Sequence, residues 1–279
     1  MVKMGYLYDI DDVSLLLLRM AFALPFYTFI WIRNKKEWSQ KPLTGKQIGL
    51  VIFLGFVGYY LASFFDFRGL TYIDASLERL ILFAYPTIVL VLSALFLKQK
   101  ITGQQIIAIL VTYIGLAIIF LSSGGITDVA SEDLFIGATF IALCAISYAF
   151  YLVGANYLIP SIGSKRVTTI SLTVSCFSVL IHYFLVQPSF NIFSFPWQVY
   201  VISFCMAILA TVIPSFLINE AIARLGAPTV SIIGSLGPVS TIVLSMIFLG
   251  ESLTLIQFGG ALVIICGVGI ISYSKTGTQ

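Results

Sequence analysis

Apolar runs of about twenty residues, parted by short polar turns, fill almost the whole of this chain. A hydrocarbon core about 30 Å thick is crossed by roughly 20 helical residues. Nine runs are long enough to cross it, namely 13–32, 48–67, 76–97, 105–121, 134–153, 168–186, 199–218, 229–249 and 255–272. Backbone groups in lipid must be satisfied within their own segment, so such runs are helices. The pattern predicts an all-α membrane protein, a polytopic helical bundle of nine spans with no soluble domain between them.

The pattern is also written twice. Residues 79–122 align without gaps on 231–274, a shift of 152 positions, with fifteen identities in forty-four. Pro86 falls on Pro238, Phe96 and Leu97 on Phe248 and Leu249, Thr102 on Thr254, Gln105 on Gln257, and Gly115 on Gly267. Lysine and arginine then set the orientation, because short cytoplasmic loops are enriched in both. With the loop bearing Arg33, Lys35, Lys36, Lys41 and Lys46 inside, eleven loop cations are cytoplasmic and two, Lys3 and Arg68, are outside. The expectation is a multi-pass protein of the cytoplasmic membrane, N-terminus outside and C-terminus cytoplasmic. The turn at 98–100 then lies inside and its counterpart at 250–252 outside, so the two copies are inverted. Inverted repeats build alternating-access transporters with the site at mid-depth between them. An offset that inverts topology holds an odd number of spans. Five fits, giving a ten-span plan whose first span is missing here. A misplaced start, a truncation and a true nine-span chain all satisfy the sequence. The copies divide as 1–124, lacking its first helix, and 125–279.

Composition narrows the function. Hydrophobic residues make up 59% and charged residues 10%, with a mean hydropathy of +1.04; a soluble domain carries roughly 25% charged residues. The net charge of +3 sits in short loops and forms no basic patch, so nucleic acid is not an expected partner. Cys144, Cys176, Cys205 and Cys266 stand singly in apolar runs and read as small packing residues. With His182 as the one histidine, no metal site is expected. The acidic start, 1–12, is not the basic leader of a signal peptide. Neither a GxxxxGK[ST] phosphate loop nor HExxH nor GxSxG occurs, so no cofactor and no enzymatic activity are expected. The expected partners are a small-molecule substrate and the lipid bilayer. A lipid-modifying membrane enzyme is the alternative, and would want paired acids or histidines at interfacial depth. A non-transporting structural or sensory membrane protein is a further one, for which inverted duplication is not specifically required.

The second copy carries Leu225-Gly226-Ala227-Pro228, then Pro238, Phe248-Leu249-Gly250-Glu251, Gln257-Phe258-Gly259-Gly260 and Gly267. In these residues the chain resembles the EamA-type permeases of the drug/metabolite transporter superfamily, and the resemblance spans nearly its whole length. The first copy departs at Lys98-Gln99-Lys100, where the glycine and glutamate are missing. The resemblance implies a ten-helix fold and movement, with export the expected direction, of small metabolites such as amino acids or drugs. It implies no particular substrate.

Candidate cavity or gating residues follow from polar and helix-breaking positions inside spans. Pro86 and Pro238, flanked by Tyr85 and Gly237, each remove a backbone hydrogen bond and open their helix; Ser235 lies just before Pro238. Arg19, Glu78 and Arg79 are ionisable groups inside spans at one depth, where charge is a functional hypothesis by default. The simplest pairing is Arg19 with Glu78 and Asp66 with Arg79. An outer gate, an anion-reading site, a proton-coupling Glu78 and plain ion-pair packing all remain open. Tyr59, Tyr60 and Ser63, Tyr148, Tyr151 and Asn156, and Ser215 and Asn219 are the other central polar groups. Ala108, Gly115, Gly260 and Gly267 keep matched helix faces small, for packing within the chain or for a homodimer.

Overall fold

A computed structural model describes residues 2–122, 131–186, 192–237, 239–240 and 255–274. Among them no residue is in a strand, and seven helices are long and apolar enough to cross a membrane. The chain is an all-α polytopic membrane protein. The helices are α1 (Val2–Tyr6), α2 (Asp12–Ser39), α3 (Gly45–Tyr72), α4 (Ala75–Leu82), α5 (Tyr85–Leu97), α6 (Gly103–Ser122), α7 (Ser131–Ile162), α8 (Ser164–Val186), α9 (Trp197–Leu225), α10 (Ala227–Gly234) and α11 (Leu255–Ser274). Pro238, the part of the run 229–249 from residue 241 onward and the Leu249-Gly250-Glu251 turn lie outside the described residues.

The sequence sets the helix starts by capping. Asp11 accepts from Ser14 N at 2.8 Å to open α2, and Thr44 with Gln47 forms a reciprocal capping box at α3. Thr102 and Gln105 make the same exchange before α6, at 2.9 and 3.3 Å. The matched Thr102 and Gln105 of the repeat are therefore a start signal. Several helices outrun their apolar stretches. Helix α3 continues past Phe67 to Tyr72, where Arg68 meets Asp12 at 3.6 Å. Helix α2 continues to Ser39, and the buried Arg166 donates to Lys41 O at 2.7 Å and Trp38 O at 3.2 Å, closing carbonyls at its C-terminal end.

Two departures from regular helix recur at positions 152 residues apart. Helix α3 is π-helical over Leu54–Leu61 and α9 over Ile208–Val212. In α9 the cause is Pro214, which has no N–H for the carbonyl of residue 210, and Thr211 Oγ1 reaches back to Met206 O at 3.1 Å. In α3 a side chain at Gly58 would collide with Tyr151 of α7, so the glycine permits that close approach. The second departure is a break. Helix α4 ends at Leu82 and α5 begins at Tyr85 with Pro86 in its first turn; α10 ends at the matched Gly234. At both breaks an N–H turns to the third carbonyl back, Ala84 to Ile81 and Leu236 to Ile233, each at 3.0 Å. Proline at 86 leaves the Leu82 carbonyl without its helical donor.

Packing places α2, α8 and α9 around Leu15, Leu16, Met20, Leu172 and Val199, while α3, α5 and α7 meet around Leu54, Val89, Ala149 and Leu152. Helices α6 and α11 pair antiparallel through the small residues. Gly115 lies against Gly260, and Gly267 against Ala108 and Thr112. These residues serve packing within the chain, as small faces do where backbones approach in lipid.

Candidate functional site

A cavity of about 300 Å³ opens where α2, α3, α4, α7 and α9 converge. Gly58, Tyr59, Ala62 and Asp66 of α3 line one side, and Ala210, Thr211, Pro214 and Ile218 of α9 line another. Each α9 residue is the 152-shift partner of an α3 residue. The two π turns thus present the same helix face to one space. Arg19 from α2, Glu78 and Leu82 from α4, and Cys144 and Tyr148 from α7 complete the wall, with Ser63 beside Asp66.

The charged end of the cavity differs from the pairing expected from the sequence. Arg19 donates to Ser63 Oγ at 2.7 Å and its guanidinium lies 4.7 Å over the Phe67 ring, with Asp66 as the acid whose charge it feels most. Asp66 and Glu78 meet each other through their carboxyl groups, with Arg79 beside both. The expected Arg19–Glu78 pair is replaced by an acid–acid contact. The physical reason is the length of α3: by running to Tyr72 it carries Asp66 about 9 Å inside its helix end, level with Glu78. The apolar pattern puts Asp66 at the end of its span, and so not among the candidates.

From the wall a chain of tyrosines runs back into the bundle. Tyr59 meets Tyr151 edge to face at 4.5 Å, Tyr151 stacks on Tyr148 at 6.5 Å, and Tyr148 meets Tyr85 at 5.4 Å. Tyr85 ends this series by donating to Ser231 O of α10 at 3.0 Å, in contact with Gly234. The break of the first copy is thereby tied to the break of the second. Tyr27 and Ser215 share a hydrogen bond at 3.2 Å, and Asn219 donates to Tyr151 OH at 2.6 Å. These last groups are buried and support the wall without lining it.

Of the sequence candidates, Arg19, Tyr59, Ser63, Glu78 and Tyr148 face the cavity. Tyr151, Tyr85, Pro86, Ser215 and Asn219 lie behind it. Tyr60 points elsewhere, onto the ring of His182 at 5.7 Å. Ser235 is buried at the α10 break, its hydroxyl without a partner among the described residues. Asn156 caps α10 by accepting from Ala227 N at 3.1 Å. His182 is wedged against Phe64 and Tyr60, with Nδ1 unpartnered among the described residues. Glu220 and Arg224 form an exposed pair at 2.8 Å, joined by Ser164. Sequence reasoning missed Thr211, Ala210 and Ile218; extending the 152-residue shift to Gly58, Tyr59 and Asp66 would have found them.

The model of the EamA-like transporter family matches residues 1–121 and again 135–273. The chain belongs to the EamA-like transporter family. Among its relatives are the "uncharacterized transporter YcbK" of Bacillus subtilis, 29% identical and covering 96% of this EamA chain and 86% of the relative, and YetK of the same organism, also named an uncharacterized transporter, at 27%, 84% and 70%. An uncharacterized transporter of Synechocystis is 25% identical over 94% of the chain and 79% of its own length. A solved crystal structure superposes with a TM-score of 0.76 at 14% identity, covering 94% of this chain and 89% of that one; it shares the fold.

Proposed function

We propose that this chain is a secondary transporter that exports small organic metabolites, such as amino acids or drugs, across the cytoplasmic membrane by alternating access. The reading rests on one observation above the rest. The cavity wall is built from the same face of two helices that stand 152 residues apart, each loosened by a π turn at the matched place. Discontinuous helices from paired halves, meeting at a mid-depth site, are how inverted-repeat transporters make a space that opens to either side. The broken α4–α5 and α10 segments, linked by Tyr85, supply hinges at matched positions. At about 300 Å³ the cavity is at the lower limit of ligand pockets, which suits a metabolite better than a lipid. Its wall offers aromatic faces, the hydroxyls of Ser63 and Thr211, a guanidinium and two carboxyl groups, a set for a polar solute with an apolar part. In this reading the N-terminus is outside and the C-terminus cytoplasmic.

The test is movement without chemistry. Purified protein in liposomes loaded with a metabolite mixture should release particular solutes unaltered, and mass spectrometry of both compartments identifies them. Chemical alteration of a solute, or no movement beyond that of empty liposomes, would remove the proposal.

A further inference from the structure

Asp66 and Glu78 stand in the cavity wall with their carboxyl groups within hydrogen-bonding range of each other. Ionised carboxylates only accept hydrogen bonds, so this contact is bonding only when one of the two carries a proton. Two like charges sharing a site resist ionising together. Asp66 Oδ1 is buried and without a hydrogen-bond partner among the described residues. The groups facing the pair are Arg19 from α2, Arg79 from α4, Tyr6 from α1 and Cys144 from α7. Arg19 is already engaged by Ser63 and the Phe67 ring.

We propose that Asp66 and Glu78 are a proton-binding pair that holds one exchangeable proton in the cavity wall. Only its use in transport rests on the transporter reading above. With the proton in place, Arg19 and Arg79 face a single negative charge and the set carries one net positive charge. When the proton leaves to cavity water, two guanidinium groups face two carboxylates and the set is neutral. The two arginines therefore make release feasible despite like-charge repulsion between the acids. A cationic group on a solute is repelled by the protonated set and accepted by the deprotonated one. Proton and cationic solute compete for the same space, which is a coupling device. The second copy has Ile218 and Val230 at the matching positions, so one chain holds one such site.

The experiment needs no identified solute. Infrared spectra of the purified protein are recorded as it is titrated, for wild type, Asp66→Asn, Glu78→Gln and the double variant, each checked for monodisperse elution. The wild-type minus double-variant spectrum should show the C=O stretch of one protonated carboxyl per chain. That band should shift in D₂O and fade as pH rises. Each single variant should still show a band, moved in its titration, because a lone acid between two arginines binds its proton differently. Absence of the band at every pH at which the protein stays folded would overturn the proposal. A band that neither exchanges in D₂O nor titrates would overturn it too, since the proton would then be locked in place. Failure of the transport assay would leave this band untouched, and loss of the band would leave transport untouched, so the two readings fail separately.

Discussion

Replacing Gly115 or Gly260 by alanine tests the seam between α6 and α11. A Cβ at Gly115 would stand 2.7 Å from Ile264 Cγ1 and 2.8 Å from Gly260 O; at Gly260 it would stand 2.7 Å from Ile119 Cγ1 and 3.0 Å from Gly115 O. Ordinary heavy-atom contacts lie at about 3.5–4.0 Å, so either methyl must push the helices apart by roughly 1 Å. Overpacking of that kind costs about 1–3 kcal/mol. Helix propensity, about 1 kcal/mol in favour of alanine, offsets part of it, leaving a net loss of up to about 2 kcal/mol. Gly259 and Gly269 sit on the same helix as Gly260 with nothing within 4 Å of a Cβ, so alanine there should be neutral or stabilising by up to about 1 kcal/mol. Because Gly115 and Gly260 touch, the double variant should lose less than the sum of the singles. Thermal unfolding in detergent reads all five proteins. Equal behaviour of the buried and open glycines, or additive losses, would refute the seam as described.

Other outcomes follow from backbone and topology. Gly226 has φ +80° and ψ 155° between α9 and α10, a region essentially confined to glycine, so Gly226→Ala should lower the melting temperature by the equivalent of about 1–3 kcal/mol. Lys98 caps α5 in the left-handed region at φ 53°, the place where the second copy has Gly250, and Lys98→Gly should be stabilising by up to about 1 kcal/mol in the same assay. On a cysteine-free background, cysteine at exposed Thr71 should react with an impermeant thiol reagent added to intact cells, and cysteine at Asn34 or Gln99 should not. Labelling at Asn34 would reverse the proposed orientation.

The sequence exposed the helices well because the membrane imposes one strong rule, about twenty apolar residues per crossing. Proline at 86 likewise announced the α4–α5 break, since a missing N–H opens a helix wherever it falls. The π turn of α3, unlike that of α9 beside Pro214, carried no such mark. Leu54–Leu61 reads as ordinary apolar helix, and its widening depends on Gly58 meeting Tyr151 far along the chain. The charge pairing went astray for a related reason: apolar content ends near Phe67, whereas the hydrogen-bonded helix does not. Asp66 therefore looked terminal when it is internal. Tyr59 and Tyr60 show the remaining limit. Adjacent residues on a helix face directions about 100° apart, and composition alone does not say which one meets the cavity.

The central claim is that solute passes through the space between α3 and α9. Ala210 lines that space, and its neighbour Leu209 is exposed on the outer face of α9. Efflux from proteoliposomes by Ala210→Trp and Leu209→Trp, both confirmed to unfold at the wild-type temperature, compares a filled cavity with an altered lipid-facing surface. The account predicts that Ala210→Trp loses at least tenfold in rate while Leu209→Trp keeps it; wild-type efflux by folded Ala210→Trp would place the pathway elsewhere.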